Sequence, residues 1–395
     1  MRACGTPHLL ELYDGMKIAF VTYGFGLGGT DRVCCHLAQG FHDLGDDVTI
    51  LACAGGGKGE PALKEIIRGG PPIRFLAGRR WGHRQLQKAM SILPYVCWLR
   101  RERPDFVVAT GNNICRFTAL GFRLAGVGDT SRLIVKTTNP IIRPRKGLAE
   151  KLRRRAFERA FRDASAVLTL SEEESLLLAQ SFPTAATRFR AVYNPYLTAA
   201  FERDTESHAE ARANPRLDDK IVMLAVGRLH GQKNYPRMLH AFASLVRAGR
   251  SNLTLRIAGD GPDRAAITAL INELDIADNT ELLGYTTDIP HLMATADVLL
   301  LSSDYEGLPA AVIEALACNC PVISTDCFPM AKALLGHLPG CLVVEQSDSD
   351  AFAVALARWL DERQALSPLR PYALRYSTAN AIHSHRTAIL ESSSL

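Results

Sequence analysis

Short apolar runs of strand length recur along this chain with helix-length stretches between them, and that alternation limits its fold more than any other feature. In the first half the runs fall at residues 17–22, 48–53, 73–76, 105–109, 133–137 and 166–170, and helical patterns near 30–44, 83–101, 113–126, 147–163 and 172–181 separate most of them. The second half repeats the scheme, with runs near 221–226, 253–258, 280–283, 297–301, 321–325 and 342–345. Continuous apolar runs belong to strands covered on both faces, and a helix between two such strands makes a parallel sheet. The expected fold class is α/β, with two doubly wound, Rossmann-like domains in series facing across a cleft. At 395 residues the chain can hold two cores of ordinary size. Domains are expected over 16–195 and 196–375, after an N-terminal extension over 1–15 and before a C-terminal helical segment over 376–395. The boundary falls at Asn194-Pro195, ahead of a polar stretch from Glu202 to Lys220 that reads as a linker.

Bulk properties exclude several classes. No apolar run reaches the roughly 18 residues a membrane span requires, and residues 1–15 lack the apolar core of a signal peptide, so a cytoplasmic address is expected. The ten cysteines form no C-x-x-C pair or cluster with histidine. They are expected to be buried, reduced thiols rather than disulfides or metal ligands.

Ligands of open α/β sheets bind outside the carboxyl ends of the strands, where helix N-termini offer free N–H groups to a phosphate. Two strand-to-helix turns are furnished for this. After 221–226 come Gly227-Arg228-Leu229-His230-Gly231-Gln232-Lys233-Asn234 and then a helix opening at Tyr235-Pro236. An arginine grips phosphate oxygens through its planar fork and a lysine acts as a point charge, so Arg228 and Lys233 suit a diphosphate. After 297–301 come Glu306-Gly307-Leu308-Pro309 and a helix bearing Glu314. Cations for phosphates and carboxylates for hydroxyls describe a nucleotide-sugar site, although either glutamate alone reads equally well as a solvated acid.

These residues carry a resemblance. Gly227-Arg228-Leu229 with Lys233-Asn234, then Ala258-Gly259-Asp260-Gly261-Pro262, then Glu306-Gly307-Leu308-Pro309 with Glu314, resemble the retaining GT-B glycosyltransferases of family 4, and Gly28-Gly29-Thr30-Asp31-Arg32-Val33 resembles that family's N-terminal glycine loop. The resemblance runs from about residue 16 to about residue 330. It implies a retaining, metal-independent transfer of a hexose or N-acetylhexosamine from a nucleotide diphosphate sugar, UDP-sugar favoured over GDP-sugar, to a sugar or lipid-linked saccharide in polysaccharide or glycolipid synthesis. No cofactor is implied, the nucleotide sugar being a substrate. Arg228 and Lys233 would stabilise the leaving diphosphate, Glu306 with the amides of Gly307 and Leu308 would meet hydroxyls of the transferred sugar, and Glu314 would take the ribose. Gly284 and Tyr285 would border the base, and Gly28 and Gly29 would let backbone approach the donor's phosphate or the acceptor. The last helix would return to the N-terminal domain.

Two departures stand beside the resemblance. Lys136-Thr137-Thr138-Asn139-Pro140 holds neither the histidine nor the arginine that related enzymes often carry near the acceptor, which leaves Lys136 and Asn139 as candidates for the acceptor side. Gly24-Phe25-Gly26-Leu27-Gly28-Gly29 also fits the G-x-G-x-x-G of nicotinamide-dependent oxidoreductases, the rival class, beside a non-catalytic nucleotide-binding protein. That fingerprint expects an acid after the second strand, where Ala52-Cys53-Ala54 stand instead. His36 and His230 read as ordinary surface or packing histidines, and Ser171-Glu172-Glu173-Glu174 as a helix N-cap with acids on the dipole.

The formal net charge of +5 is unevenly spread. From Arg143 to Arg162 nine basic residues face two acidic ones, and Arg79, Arg80, Arg84, Lys88, Arg100, Arg101 and Arg103 frame a helix bearing Trp81, Ile92, Leu93, Tyr95, Val96 and Trp98. No nucleic-acid reading motif accompanies them. Attraction to an anionic membrane surface on the cytoplasmic side is expected, electrostatic and reversible. Leu148, Leu152, Ala156 and Ala160 recur every four residues, a stripe suited to packing on the helix's own sheet.

Overall fold

The computed structural model describes residues 15–26, 28–78, 82–142, 147–207, 220–346, 350–362 and 368–392. The extension up to Asp14, Leu27 of the glycine loop, the set Arg79, Arg80 and Trp81, the basic Arg143, Arg145 and Lys146, and the linker residues 208–219 lie outside the described residues. The chain divides into two compact units, Met1–Pro195 with Thr378–Leu395, and Tyr196–Ser377.

The first unit is built on a seven-stranded parallel sheet: β1 (Lys17–Thr22), β2 (Asp47–Ala52), β3 (Ile73–Phe75), β4 (Phe106–Ala109), β5 (Arg132–Lys136), β6 (Ala166–Thr169) and β7 (Phe189–Ala191), in the order β3-β2-β1-β4-β5-β6-β7. Val21, Leu51, Val107, Leu133 and Val167 share a core with Tyr95, Phe117 and Phe161 of the covering helices and with Phe182. Strand β7 and the helix Glu60–Ile66 were not legible in the alternation. β7 is three residues long with only Phe189 fully buried, too short for a pattern to declare itself. The C-terminal helix Thr378–Glu391 packs on the helix Gly29–Asp43 of this unit. The fit is close enough that a Cβ on Gly40 would lie 1.9 Å from Ile382 Cδ1, and the buried Arg386 lies 3.6 Å from Asp46.

The second unit has a six-stranded parallel sheet: β8 (Ile221–Val226), β9 (Leu253–Ala258), β10 (Thr280–Gly284), β11 (Val298–Leu301), β12 (Val322–Thr325) and β13 (Leu342–Val344), ordered β10-β9-β8-β11-β12-β13. Met223, Leu255, Val298, Leu300 and Ile323 form its core with Leu239, Phe242, Phe352 and Leu356. The start of the polar stretch expected as a linker falls in a helix, Ala199–Ser207, with Thr205 buried and its hydroxyl donating to the Phe201 carbonyl at 2.8 Å. Each sheet starts at an inner strand, builds to one side, and returns to add strands on the other. The order therefore reverses between β1 and β4 and between β8 and β11, and at such a switch point adjacent loops diverge to leave a crevice at the carboxyl ends. Among the described cysteines all nine are free and all but Cys97 are buried. Among the described residues no helix is long and apolar enough to cross a membrane.

Candidate active site

The switch point of the second unit brings the expected residues together. The turn after β8 runs Gly227 to Asn234, closing in a one-turn 3₁₀ helix, Gly231–Lys233, whose N-cap is His230 through its Nδ1. Asn234 adopts a left-handed conformation, φ 44°, and its side chain caps the following helix Tyr235–Arg247. The glycines beside this turn are there for close approach: a Cβ on Gly259 would meet the Gly227 carbonyl oxygen at 1.9 Å, so the loops after β8 and β9 lie backbone on backbone.

The loop after β11 is fastened to that turn. Ser302 Oγ donates to the carbonyls of Lys233 and Asn234 at 3.0 and 2.9 Å. Arg237 donates to the Ser302 carbonyl at 2.8 Å and pairs with Asp304 at 3.2 Å, and Asn234 Nδ2 donates to Asp304 Oδ1 at 2.8 Å. Gln232 Nε2 reaches the Tyr305 carbonyl at 2.8 Å and Glu306 Oε2 at 3.3 Å. Nothing in sequence spacing singles out Gln232, Arg237, Ser302, Ser303 or Asp304. Their contacts from loop to loop form because β8 and β11 are neighbours.

The central contact joins two expected site residues directly. Lys233 Nζ lies 2.8 Å from Glu306 Oε1, with both side chains largely out of water. Ser303 Oγ donates to the same oxygen at 2.9 Å, and the Glu306 N–H donates to the Cys327 carbonyl at 2.6 Å. Gly307 and Leu308 are buried just ahead of the helix Ala310–Ala317, and Tyr196 donates to the Leu308 carbonyl at 2.7 Å. Glu314 is half-buried on that helix. Arg228 is exposed and makes no ion pair among the described residues. Gly284, with φ 72°, ends β10 and accepts the Gly259 N–H at 2.7 Å, and Tyr285 beside it is 57% exposed. Those two lie along the same sheet edge, two strands away from β8.

At the switch point of the first unit, Gly28 caps the helix Gly29–Asp43 and both glycines are exposed, with open space where a Cβ would stand. Asp31 holds the preceding loop by accepting the Gly26 N–H at 2.9 Å. Asn139 is half-buried and its carbonyl accepts from Asn112 Nδ2 at 2.6 Å. Lys136 departs from the expectation that it lines the acceptor side. It is 1% exposed and its ammonium has no hydrogen-bond partner among the described residues. Burial pushes its pKa down to about 7, partly offset by the Glu174 carboxylate nearby. The strand is covered on both faces: every residue from Leu133 to Lys136 is buried, so position 136 faces a packed layer rather than the open edge.

A family model described as "Glycosyl transferase 4-like domain" matches residues 28–195, and one described as "Glycosyl transferases group 1" matches residues 207–375. The chain belongs to the group 1 glycosyltransferases. Within this family it is 26% identical over 251 residues to an uncharacterized glycosyltransferase of Methanocaldococcus jannaschii, a match covering 62% of this chain and 61% of the relative. It is 27% identical over 238 residues, 60% of this chain and 62% of the relative, to N-acetylgalactosamine-N,N'-diacetylbacillosaminyl-diphospho-undecaprenol 4-alpha-N-acetylgalactosaminyltransferase of Campylobacter jejuni. The chain thus spans about three fifths of the length of these relatives. The crystal structure of Anabaena HepE in complex with UDP and glucose superposes with TM-score 0.73 at 19% identity, over 96% of this chain and 100% of that one. That likeness carries the GT-B fold of two Rossmann-like domains. Group 1 membership leaves the dinucleotide reading of Gly24–Gly29 without support, in keeping with the uncharged Ala52-Cys53-Ala54 at the end of β2.

Proposed function

We propose that this protein is a retaining glycosyltransferase moving a hexose or N-acetylhexosamine from a nucleotide diphosphate sugar, UDP-sugar before GDP-sugar, to a sugar or lipid-linked saccharide acceptor. The observation that carries this is the pairing of Lys233 with Glu306, beside Arg228, which is exposed and makes no ion pair among the described residues, at the switch point of the second unit. Departure of a nucleoside diphosphate builds negative charge, and cations already in place stabilise it as it develops, with no metal required. An ammonium has three N–H donors and Glu306 occupies one, so Lys233 keeps two for phosphate oxygens. Glu306 accepts from Lys233 and Ser303 on one oxygen and from Gln232 on the other, leaving a lone pair for a sugar hydroxyl. In this reading Glu314 takes the ribose, Gly307 and Leu308 offer amides to the sugar, Gly284 and Tyr285 border the base, and the turn at Gly28 and Gly29 with Asn139 serves the acceptor. Support comes from HepE, a complex with UDP and glucose, and from the Campylobacter relative, whose name gives a diphospho-undecaprenol acceptor.

The first unit is proposed to work against an anionic membrane. The helices Arg84–Glu102, Cys115–Ala125 and Leu148–Asp163 pack side by side. Leu86, Met90 and Leu93 on the first, Leu120 and Leu124 on the second, and Leu148 and Leu152 on the third are all exposed. This revises the expected role of the last helix: Phe157, Ala160 and Phe161 form its buried face, while Leu148, 72% exposed, and Leu152, 55% exposed, do not pack on the sheet. Its charges also divide. Arg153 is tied to Glu150 at 2.7 Å and Arg154 to the Ser181 carbonyl at 2.7 Å, whereas Lys151, Arg155 and Arg159 are exposed. Apolar side chains ringed by cations suit shallow insertion between anionic headgroups.

The test of the donor assignment is protection against thermal unfolding by UDP-, GDP- and ADP-sugars, with NAD on the same plate and EDTA throughout. A ligand at 100 times its dissociation constant adds about 2.7 kcal/mol. Protection by NAD alone, or by UDP-sugars only when a divalent metal is restored, refutes the reading.

A further inference from the structure

Three cations stand at the carboxyl edge of the first sheet, and among the described residues no carboxylate pairs with them. Arg84 opens the helix Arg84–Glu102 and its guanidinium carbon lies 4.6 Å from the centre of the Tyr23 ring, directly after β1. Lys88, one turn on, is half-buried, and its ammonium donates to the Asn113 carbonyl in the turn after β4. Arg116 stands in the first turn of the helix Cys115–Ala125, exposed, at the positive end of that helix's dipole. Lys88 lies within reach of the other two charges: burial, and then Arg84 and Arg116, hold its ammonium below the usual lysine range. Among the described residues none of the three makes an ion pair, while elsewhere on the same helices Arg101 pairs with Glu102 at 2.9 Å and Arg123 with Asp163 at 3.8 Å. The thiols of Cys53 and Cys115, which also face Lys88, are kept neutral by burial.

We propose that Arg84, Lys88 and Arg116 form an anion subsite that takes the phosphate or diphosphate of a phosphorylated acceptor. The inference rests on the transferase reading and narrows its acceptor class. Like charges near one another cost free energy that a bound anion recovers, and two guanidinium forks with one ammonium match a phosphate ester or diphosphate. A neutral sugar would call for carboxylates and amides at this edge. The same chemistry can arrive on a lipid or on a soluble sugar phosphate. Exposed Leu86 and Met90 on the helix of Arg84 and Lys88, with Leu120 one turn beyond Arg116, offer apolar contact to a lipid chain.

The experiment titrates the full chain, saturated with UDP to occupy Arg228 and Lys233, with sodium pyrophosphate and separately with a short polyprenyl diphosphate in neutral detergent micelles. The matching prenol serves as the uncharged control. Binding of the diphosphates but not the prenol is expected, weakened about tenfold to a hundredfold in Lys88→Gln and in Arg116→Gln, since a hydrogen bond to a charged group is worth about 1.5–3 kcal/mol. Arg123→Gln, the same charge change farther along the helix, is expected to leave binding unchanged. Binding of the lipid alone assigns the source to a headgroup, and equal binding of pyrophosphate admits soluble phosphates. Because Lys88 also holds a turn, the exposed Arg116 decides the matter if Lys88→Gln folds poorly. No diphosphate binding, equal binding in wild type and Arg116→Gln, or equal loss in Arg123→Gln overturns the subsite. A wild type that does not bind UDP refutes the transferase reading alone, and the titration without UDP still decides the subsite.

Discussion

Replacing Lys233 by methionine keeps its length and apolar stem but leaves the Glu306 carboxylate, 8% exposed, without its counter-charge. At the observed 2.8 Å the bare attraction is about 6 kcal/mol for an effective dielectric of about 20. Much of that is already offset by desolvation of both groups, so the net worth of the pair is small. Breaking it is another matter: an uncompensated buried charge costs about 3–5 kcal/mol. The hydroxyl of Ser303 and the amide of Gln232 remain to solvate the carboxylate, which places the expected loss toward the lower end, about 3 kcal/mol. In Lys233→Met/Glu306→Gln the buried charge is gone, so most of the stability should return while transfer activity stays lost. The assay is urea unfolding of the full chain with hydrogen exchange of the β8 and β11 amides reporting on the second unit, beside single-turnover rates. A loss under about 1 kcal/mol in Lys233→Met, or a double variant less stable than the single one, refutes the idea that this is a buried, mutually dependent pair.

Arg228→Ala should behave differently, because the side chain is exposed and makes no ion pair among the described residues: stability stays within about 0.5 kcal/mol of wild type while turnover falls about a hundredfold. Glu306→Gln is expected to lower kcat and Glu314→Gln mainly to raise the donor KM, since a ribose contact persists from ground to transition state; identical kinetic profiles would argue against separate roles. Lys151→Glu/Arg155→Glu with Leu148→Ser and Leu152→Ser should release the protein from phosphatidylglycerol vesicles in a sedimentation assay without altering UDP protection, and equal supernatant recovery for wild type and variant at low salt would reduce that face to a solvated one. Lys136, with its pKa lowered to about 7, binds fewer protons folded than unfolded above that pH, so its contribution makes stability rise with pH, by at most about 1.4 kcal/mol per pH unit. Lys136→Met should remove that rise between pH 7 and 8.5, and an unchanged slope in urea unfolding would contradict the burial.

The fold was readable where residues covered on both faces leave continuous apolar runs, as in Val21 and its neighbours or Val298–Leu301. It was unreadable where an element sits at the margin of a sheet. β7 contributes one fully buried side chain, and the helix Ala199–Ser207 turns only Thr205 fully inward, so its sequence looks like linker. The helix Leu148–Asp163 illustrates a different limit. Its four-residue recurrence of Leu and Ala is real, but an ideal helix drifts around its axis across that spacing. Ala160 therefore reaches the core while Leu148 and Leu152 face outward, and the burial falls to Phe157 and Phe161 instead.

The site divides along the same line. That Arg228, Lys233 and Glu306 stand at strand-to-helix turns follows from their position after apolar runs, and so does the general address at the carboxyl edge. Which turns become neighbours depends on strand order, and strand order is set by where the chain reverses across β8 and β11. Once those strands pair, a lysine assigned to phosphate and a glutamate assigned to sugar are brought to 2.8 Å, and Ser303 and Gln232, unremarkable in the sequence, become the groups that keep the carboxylate solvated. The two roles are then not independent. A sugar hydroxyl that competes for Glu306 loosens its hold on Lys233, and a phosphate that draws on Lys233 leaves Glu306 a stronger acceptor, so diphosphate and sugar should bind with positive coupling. UDP and free sugar together should protect this chain more than the sum of their separate effects, and strict additivity in the thermal shift would show the pair to be only a structural brace.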